Sequence, residues 1–154
     1  MNIITQKYEG ITNGIISPVM VCQSKYFCKQ NNLLCFEKLV DALWDTGAGI
    51  SCISKSLVEE LKIQPILNEA DFKESKGAGG SYLSRNYLID LLLMPDYQIS
   101  NLKVSDFVDN GKFHFLIGMD IITLGDFAIT NHNDLTVFSF RIPSSEAIDF
   151  KKNK

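Results

Sequence analysis

The stretch ALWDTGAGISCIS, residues 42–54, carries an apolar run into Asp45, turns at Thr46 and Gly47, and then continues apolar. An ionised carboxylate at the end of a buried strand is costly unless it is paired or shares its proton. A carboxylate held there could take a proton from water and later return one. Two such groups about 3 Å apart cannot both ionise, so they share one proton and act together as base and acid. They titrate as a unit, and neither owns a pKa. The plainer alternative is an ordinary turn in which Asp45 accepts hydrogen bonds from amides two residues on. Context sets this turn apart. Ala48 follows it, then a second apolar strand and a short amphipathic helix, and far downstream comes FLIGMDII, residues 115–122, with Leu116-Ile117-Gly118 at its centre.

Other chemistries find less support. The four cysteines, Cys22, Cys28, Cys35 and Cys52, lack the close pairing of a zinc site, and only His114 and His132 could join them; no metal is expected. With no export-type leader at MNIITQKYEG, the thiols are expected to be reduced and the chain cytoplasmic. KESKGAGGSYLSR, residues 73–85, is rich in glycine but lacks the GxGxxG or GK[ST] pattern of a phosphate cradle. A nucleotide-binding protein of the actin type also uses Asp-containing glycine turns, but needs a much longer chain and further phosphate loops.

The elements that must position Asp45 read mostly as strands. Residues 14–23 and 86–94 are rich in β-branched and aliphatic residues, and 26–45 holds two apolar runs around Asn31-Asn32. Asp109-Asn-Gly-Lys112 predicts a hairpin between LKVSDFV and FHFLIG, because both central residues of a type I′ turn need positive φ. A second hairpin is predicted at residues 131–134, followed by alternation of Phe138, Phe140 and Ile142 with polar positions. Helical signals are few. Residues 54–63 put Leu57, Val58 and Leu61 on one face, with Ser56 and Glu59 as a capping box; residues 119–126 suit a short turn with Asp120 as its cap. Many short strands with one or two helices imply an all-β barrel or sandwich.

Bulk properties agree. At 154 residues, with 45% hydrophobic and 21% charged side chains, the chain is expected to form one globular domain over residues 1–154. Its net charge of −3 gives no footprint for nucleic acid. No apolar run reaches the roughly 18 residues of a membrane span.

Asp45-Thr46-Gly47-Ala48 followed by Leu116-Ile117-Gly118 resembles the retropepsin-type aspartic proteases, the single-lobed relatives of pepsin, and LIGMDIITLGDFAITN is similar to the matching stretch of bacterial members. The resemblance spans roughly Val40 to Ile142; residues 1–35 are strands of uncertain match, and 143–154 form a tail. It implies a closed acid-protease barrel working as a symmetric homodimer, because the chain offers one Asp-Thr-Gly and the second carboxylate must come from another copy. Aspartic proteases are the standard instance of the shared proton described above. The implied roles are catalysis by Asp45, Thr46 and Gly47; support by Ala48, Leu116, Ile117 and Gly118; and a substrate-covering flap at Gly77, Ala78, Gly79 and Gly80. Thr46 is implied to hydrogen-bond across the two-fold to the partner's loop, with a β-branched turn residue as the alternative; Tyr82 could be a pocket wall or core, and Trp44 core filler or a pocket wall. The implied substrate is a peptide or protein, with no cofactor, nucleic acid or membrane partner. The alternative is an inactive relative that keeps the fold for dimerisation or peptide binding.

Overall fold

The computed structural model describes residues 1–66, 73–77, 80–93, 96–109 and 111–151, the side chains of 73–77 and 80–82 excepted. Among the described residues, eleven strands and three short helices follow one another. The order is β1 (Asn2–Lys7), β2 (Ile16–Gln23), α1 (Lys25–Asn31), β3 (Glu37–Trp44), β4 (Cys52–Ser54) and α2 (Lys55–Glu60). Then come β5 (Lys73–Gly77), β6 (Gly80–Ser84), β7 (Asn86–Leu93), β8 (Tyr97–Phe107), β9 (Phe115–Ile117), α3 (Met119–Ile122), β10 (Asp126–Thr130) and β11 (Val137–Ile142).

Six strands close a barrel in the order β2-β3-β9-β4-β8-β7. β9 lies between β3 and β4, parallel to the first and antiparallel to the second. The chain leaving β3 must therefore cross the end of β9 to enter β4, and that crossing is residues 45–51. The barrel interior is filled by alternating residues of these strands: Val19, Ala42, Ile53, Ile89, Leu91, Val104, Phe115 and Ile117 are almost wholly buried, as a pleated sheet with one apolar face requires.

β1, β11 and β10 form a separate three-stranded antiparallel sheet, with β11 in the middle. Its inner face presents Phe127, Phe138 and Phe140 to Trp44, whose ring lies 5.8, 5.0 and 4.8 Å from theirs, centroid to centroid. Trp44 Nε1 donates to Ser17 Oγ, so its one polar atom is satisfied in the core. Trp44 thus fills core space, binding barrel to sheet one residue ahead of Asp45.

Several local expectations change. The first apolar run of residues 26–45 is the helix α1, because the Ser24 hydroxyl accepts from Phe27 N–H and Asn32 closes the far end with φ 57°. α2 is capped by Ser54, which accepts from Leu57 N–H, rather than by Ser56. β8 and β9 are not a hairpin: β4 stands between them, and long-range pairing overrides the Asn-Gly cue. Asn110 itself lies outside the described residues. β10 and β11 do form the predicted hairpin, through a 3-10 turn at His132–Asp134. Cys28 and Cys35 are joined in a disulfide, contrary to the reduced thiols expected; the α1 cap turns the chain back and leaves their Cα atoms 6.3 Å apart, within bonding range. Among the described residues no helix is long and apolar enough to cross a membrane.

Trp44→Ala should lower unfolding stability by about 3–5 kcal/mol, followed by circular dichroism in urea. A loss below about 1 kcal/mol would show that the sheet is not anchored through this ring.

Candidate active site

Asp45 is the first residue beyond β3, and its N–H extends the β3–β9 ladder by donating to Ile117 O at 2.9 Å. The chain then turns: Ala48 N–H donates to Asp45 O at 3.2 Å, and Gly47 N–H to Asp45 Oδ1 at 2.9 Å. A Cβ on Gly47 would lie 3.1 Å from that same oxygen. Asp45 is half-buried, while Thr46 and Gly47 are exposed. Among the described residues, neither a second donor to the Asp45 carboxylate nor a partner for the Thr46 hydroxyl occurs within the chain.

Beneath the turn, the loop is fastened to the end of β9. Met119 N–H donates to Ala48 O at 2.8 Å. Ser51 is fully buried; its Oγ accepts from Gly118 N–H at 3.0 Å and donates to Asp120 Oδ1 at 2.7 Å, while its N–H donates to Asp120 Oδ2 at 3.0 Å. The loop crosses so close to Gly118 that a Cβ there would stand 2.6 to 2.9 Å from Ile50 C, Ile50 O and Ser51 N. Only glycine fits at 118 without moving the loop.

Leu116 and Ile117 lie in β9 and Gly118 beyond it, so 45–48 and 116–118 are brought together. Asp120 is not the cap of α3, a position taken by Gly118. Both its oxygens instead hold Ser51. Sequence reasoning missed Ser51 entirely, since nothing in the spacing ties position 51 to position 120. Gly77 and Gly80 face each other across an antiparallel β5–β6 hairpin; Ala78 and Gly79 lie outside the described residues, as does the Tyr82 side chain.

Two other nucleophile systems are disfavoured by geometry and charge. Burial first, then the carboxylates of Asp120, Asp45 and Asp106, push the Cys52 thiol up to about 11, leaving it protonated and a poor nucleophile at neutral pH. Ser54 and Ser56 hydroxyls lie 3.3 and 3.4 Å from His114 Nδ1, the nitrogen that also lies 3.9 Å from Asp109 Oδ2. A Ser-His-Asp relay needs serine and aspartate on opposite ring nitrogens. Among the described residues, no group of three or more His, Cys, Asp or Glu is placed to hold a metal ion.

The fold is similar to known ones. A retropepsin-like aspartic protease from Rickettsia conorii matches with a TM-score of 0.50 at 13% identity, over 90% of this chain and 94% of that one. EIAV protease, in complex with the inhibitor HBY-793, matches with a TM-score of 0.51 at 16% identity, over 75% of this chain and 89% of that one. The class is that of the retropepsin-like fold, with its closed barrel. The chain belongs to the family described as "gag-polyprotein putative aspartyl protease", whose model matches residues 37–123. No curated protein sequence matches it.

Ser51→Ala would leave the buried Gly118 N–H without its acceptor and strip a donor from Asp120. The expected cost is about 1–3 kcal/mol, read from the urea midpoint. An unchanged midpoint would mean that the clamp contributes nothing.

Proposed function

We propose that the protein is an aspartic endopeptidase that cuts peptide or protein substrates as a symmetric homodimer, each subunit supplying one Asp45. The observation that carries this reading is a single Asp45-Thr46-Gly47 turn, rigidly clamped from below and exposed above. Asp120 cannot supply the second carboxylate, because both its oxygens are engaged by Ser51 beneath the loop. A second copy related by a two-fold axis brings an identical group to the same place.

The two Asp45 side chains then hold one proton. The ionised one removes a proton from a bound water, whose oxygen attacks the peptide carbonyl carbon. The protonated one gives its proton to the carbonyl oxygen as the tetrahedral intermediate forms. Collapse of that intermediate breaks the C–N bond: the nitrogen receives a proton from one carboxyl and leaves as an amine, while a hydroxyl of the intermediate returns a proton to the other carboxylate and restores the singly protonated pair. Glycine at 47 keeps the space above the carboxylate open. Thr46, exposed and without a hydroxyl partner among the described residues, bonds across the axis to the opposite loop. Ala48, Leu116, Ile117 and Gly118 hold the loop in position. The segment Gly77, Ala78, Gly79 and Gly80 serves as a lid that excludes water, a role that fits the pairing of Gly77 with Gly80 across the β5–β6 hairpin. This chemistry calls for no cofactor. A cytoplasmic place of work fits poorly with the Cys28–Cys35 bond, because cytosolic reductants keep such pairs open.

Subunit mixing tests the shared site directly. Asp45→Asn protein alone should show no cleavage of a peptide library between pH 4 and 7. Mixed in equal amounts with unaltered protein and allowed to exchange, it should give a mixture with about one quarter of the activity of unaltered protein at the same total concentration, because both carboxylates must be present. About one half remaining would mean that each chain cuts alone. Binding without cleavage by the unaltered protein would point to the inactive peptide-binding relative.

A further inference from the structure

The stretch that carries α1 into β3 is fixed at both ends by hydrogen bonds and in its middle by one covalent bond. At the near end, Ser24 Oγ accepts from Phe27 N–H at 3.1 Å, and Ser24 N–H donates to Leu88 O at 2.9 Å. Lys25 N–H donates to Asp90 Oδ2 at 3.1 Å, so the start of α1 is tied to β7. At the far end the β2–β3 ladder takes over at Glu37, which lies opposite Cys22. Between these anchors the disulfide joins Cys28 to Cys35, seven positions apart.

Among the described residues, the other restraints on 28–36 are slight. Leu33 N–H donates to Cys28 O and Asn31 Nδ2 to Phe27 O, bonds that stay within the segment and its helix. Lys62 Nζ lies over the Phe36 ring, 5.7 Å from its centroid, a contact of about 0.5–1 kcal/mol at an exposed site. α1 has seven residues, too few for a helix to stand alone in water. Its buried side chain is that of Cys28, 4% exposed. From Lys29 to Glu37 every residue is exposed, Leu34 most of all at 82%. A bond across so short a loop restricts the opened chain and favours the closed form on the order of fifty-fold.

The two sulfurs are unequally placed. Cys28 is buried, whereas Cys35 is exposed, with its Sγ 3.7 Å from Gln23 O. Thiol–disulfide exchange needs access to the sulfur that is attacked, and here that access is at Cys35.

We propose that the Cys28–Cys35 bond is a redox latch, opened by a dithiol reductant at Cys35, which releases residues 28–36 while the barrel stays folded. A thiolate of the reductant attacks Cys35 Sγ; the bond between the two cysteine sulfurs breaks, and Cys28 leaves as a thiolate that takes a proton. The reductant's second thiolate attacks its own sulfur in the mixed disulfide, and Cys35 leaves in the same way. The protein gains two electrons and two protons, and the reductant becomes a disulfide. The Asp45 turn lies at the other end of β3 and keeps its footing. The freed stretch, with Leu33, Leu34 and Phe36 on show, is a target for proteases, so the redox state of the surroundings sets how long the chain survives. The latch stands whether or not Asp45 cuts peptides.

The test uses the full chain purified in air. Alkylation under denaturing conditions should count two thiols before reduction and four after it. Glutathione, a monothiol, quenched with acid and mapped by mass spectrometry, should be found on Cys35 at least about tenfold more often than on Cys28. After dithiothreitol, amide exchange in residues 28–36 should quicken at least about tenfold, with residues 16–23, 38–44 and 86–93 unchanged. Trypsin should then cut after Lys29 about tenfold faster. A Cys28→Ser, Cys35→Ser double variant should match the reduced protein without any reductant, and reoxidation of the unaltered chain should restore slow exchange. Four thiols at the outset, adducts chiefly on Cys28, unchanged exchange in 28–36, or exchange quickened equally through the barrel strands would overturn the proposal.

Discussion

The backbone of Ile50 and Ser51 occupies the space where a side chain on residue 118 would stand, and the rest of the site depends on that contact. Because β9 runs between β3 and β4, the loop joining those two strands has to pass directly over the end of β9. Glycine at 118 permits the approach, and Ser51 and Asp120 then fix it with three hydrogen bonds that leave no buried donor idle. The turn that carries Asp45 is thus held by the strand beneath it. Its upper surface stays open for whatever meets it.

A second constraint reaches the loop from the other side. Trp44 is wedged between the barrel and the β1-β11-β10 sheet, among three phenylalanines. Tilted ring contacts of this kind add to the large apolar area that each ring buries. Since Trp44 immediately precedes Asp45, the packing of the sheet sets where the carboxylate begins its turn. Clamp and wedge act on neighbouring residues from independent parts of the chain. The loop therefore has little freedom left, and preorganisation of this sort is what acid–base chemistry on water requires.

Much of this was legible from residues 42–54 and 115–122 because their signals are local. A strand ending at aspartate, a Thr-Gly turn and two aliphatics before a glycine each announce their backbone geometry. The hairpin at 131–134 was legible for the same reason. What stayed hidden was non-local. Ser51 and Asp120 are partners across 69 positions, and neither residue type implies the other. The Asn-Gly at 110–111 promised a hairpin, but no turn residue can reveal that β4 will lie between the two strands it joins. Tyr26, Phe27 and Cys28 looked like strand because three apolar residues carry no period; the decision fell to the Ser24 cap. The disulfide between Cys28 and Cys35 likewise depends on the bend that α1 creates. Residues 2–7 offered no motif, yet their ladder to residues 137–142 completes the sheet that holds Trp44.

That ladder joins nearly the first strand of the chain to the last, and it bears on the order in which the molecule is made. During synthesis Trp44 and Asp45 emerge long before Phe138 and Phe140. Until those rings arrive, the tryptophan has no lower wall and β1 has no neighbour. Pairings this distant in sequence form late. A half-made polypeptide therefore carries the Asp45 turn on unsupported ground, and the loop gains its full footing only with the closing strand.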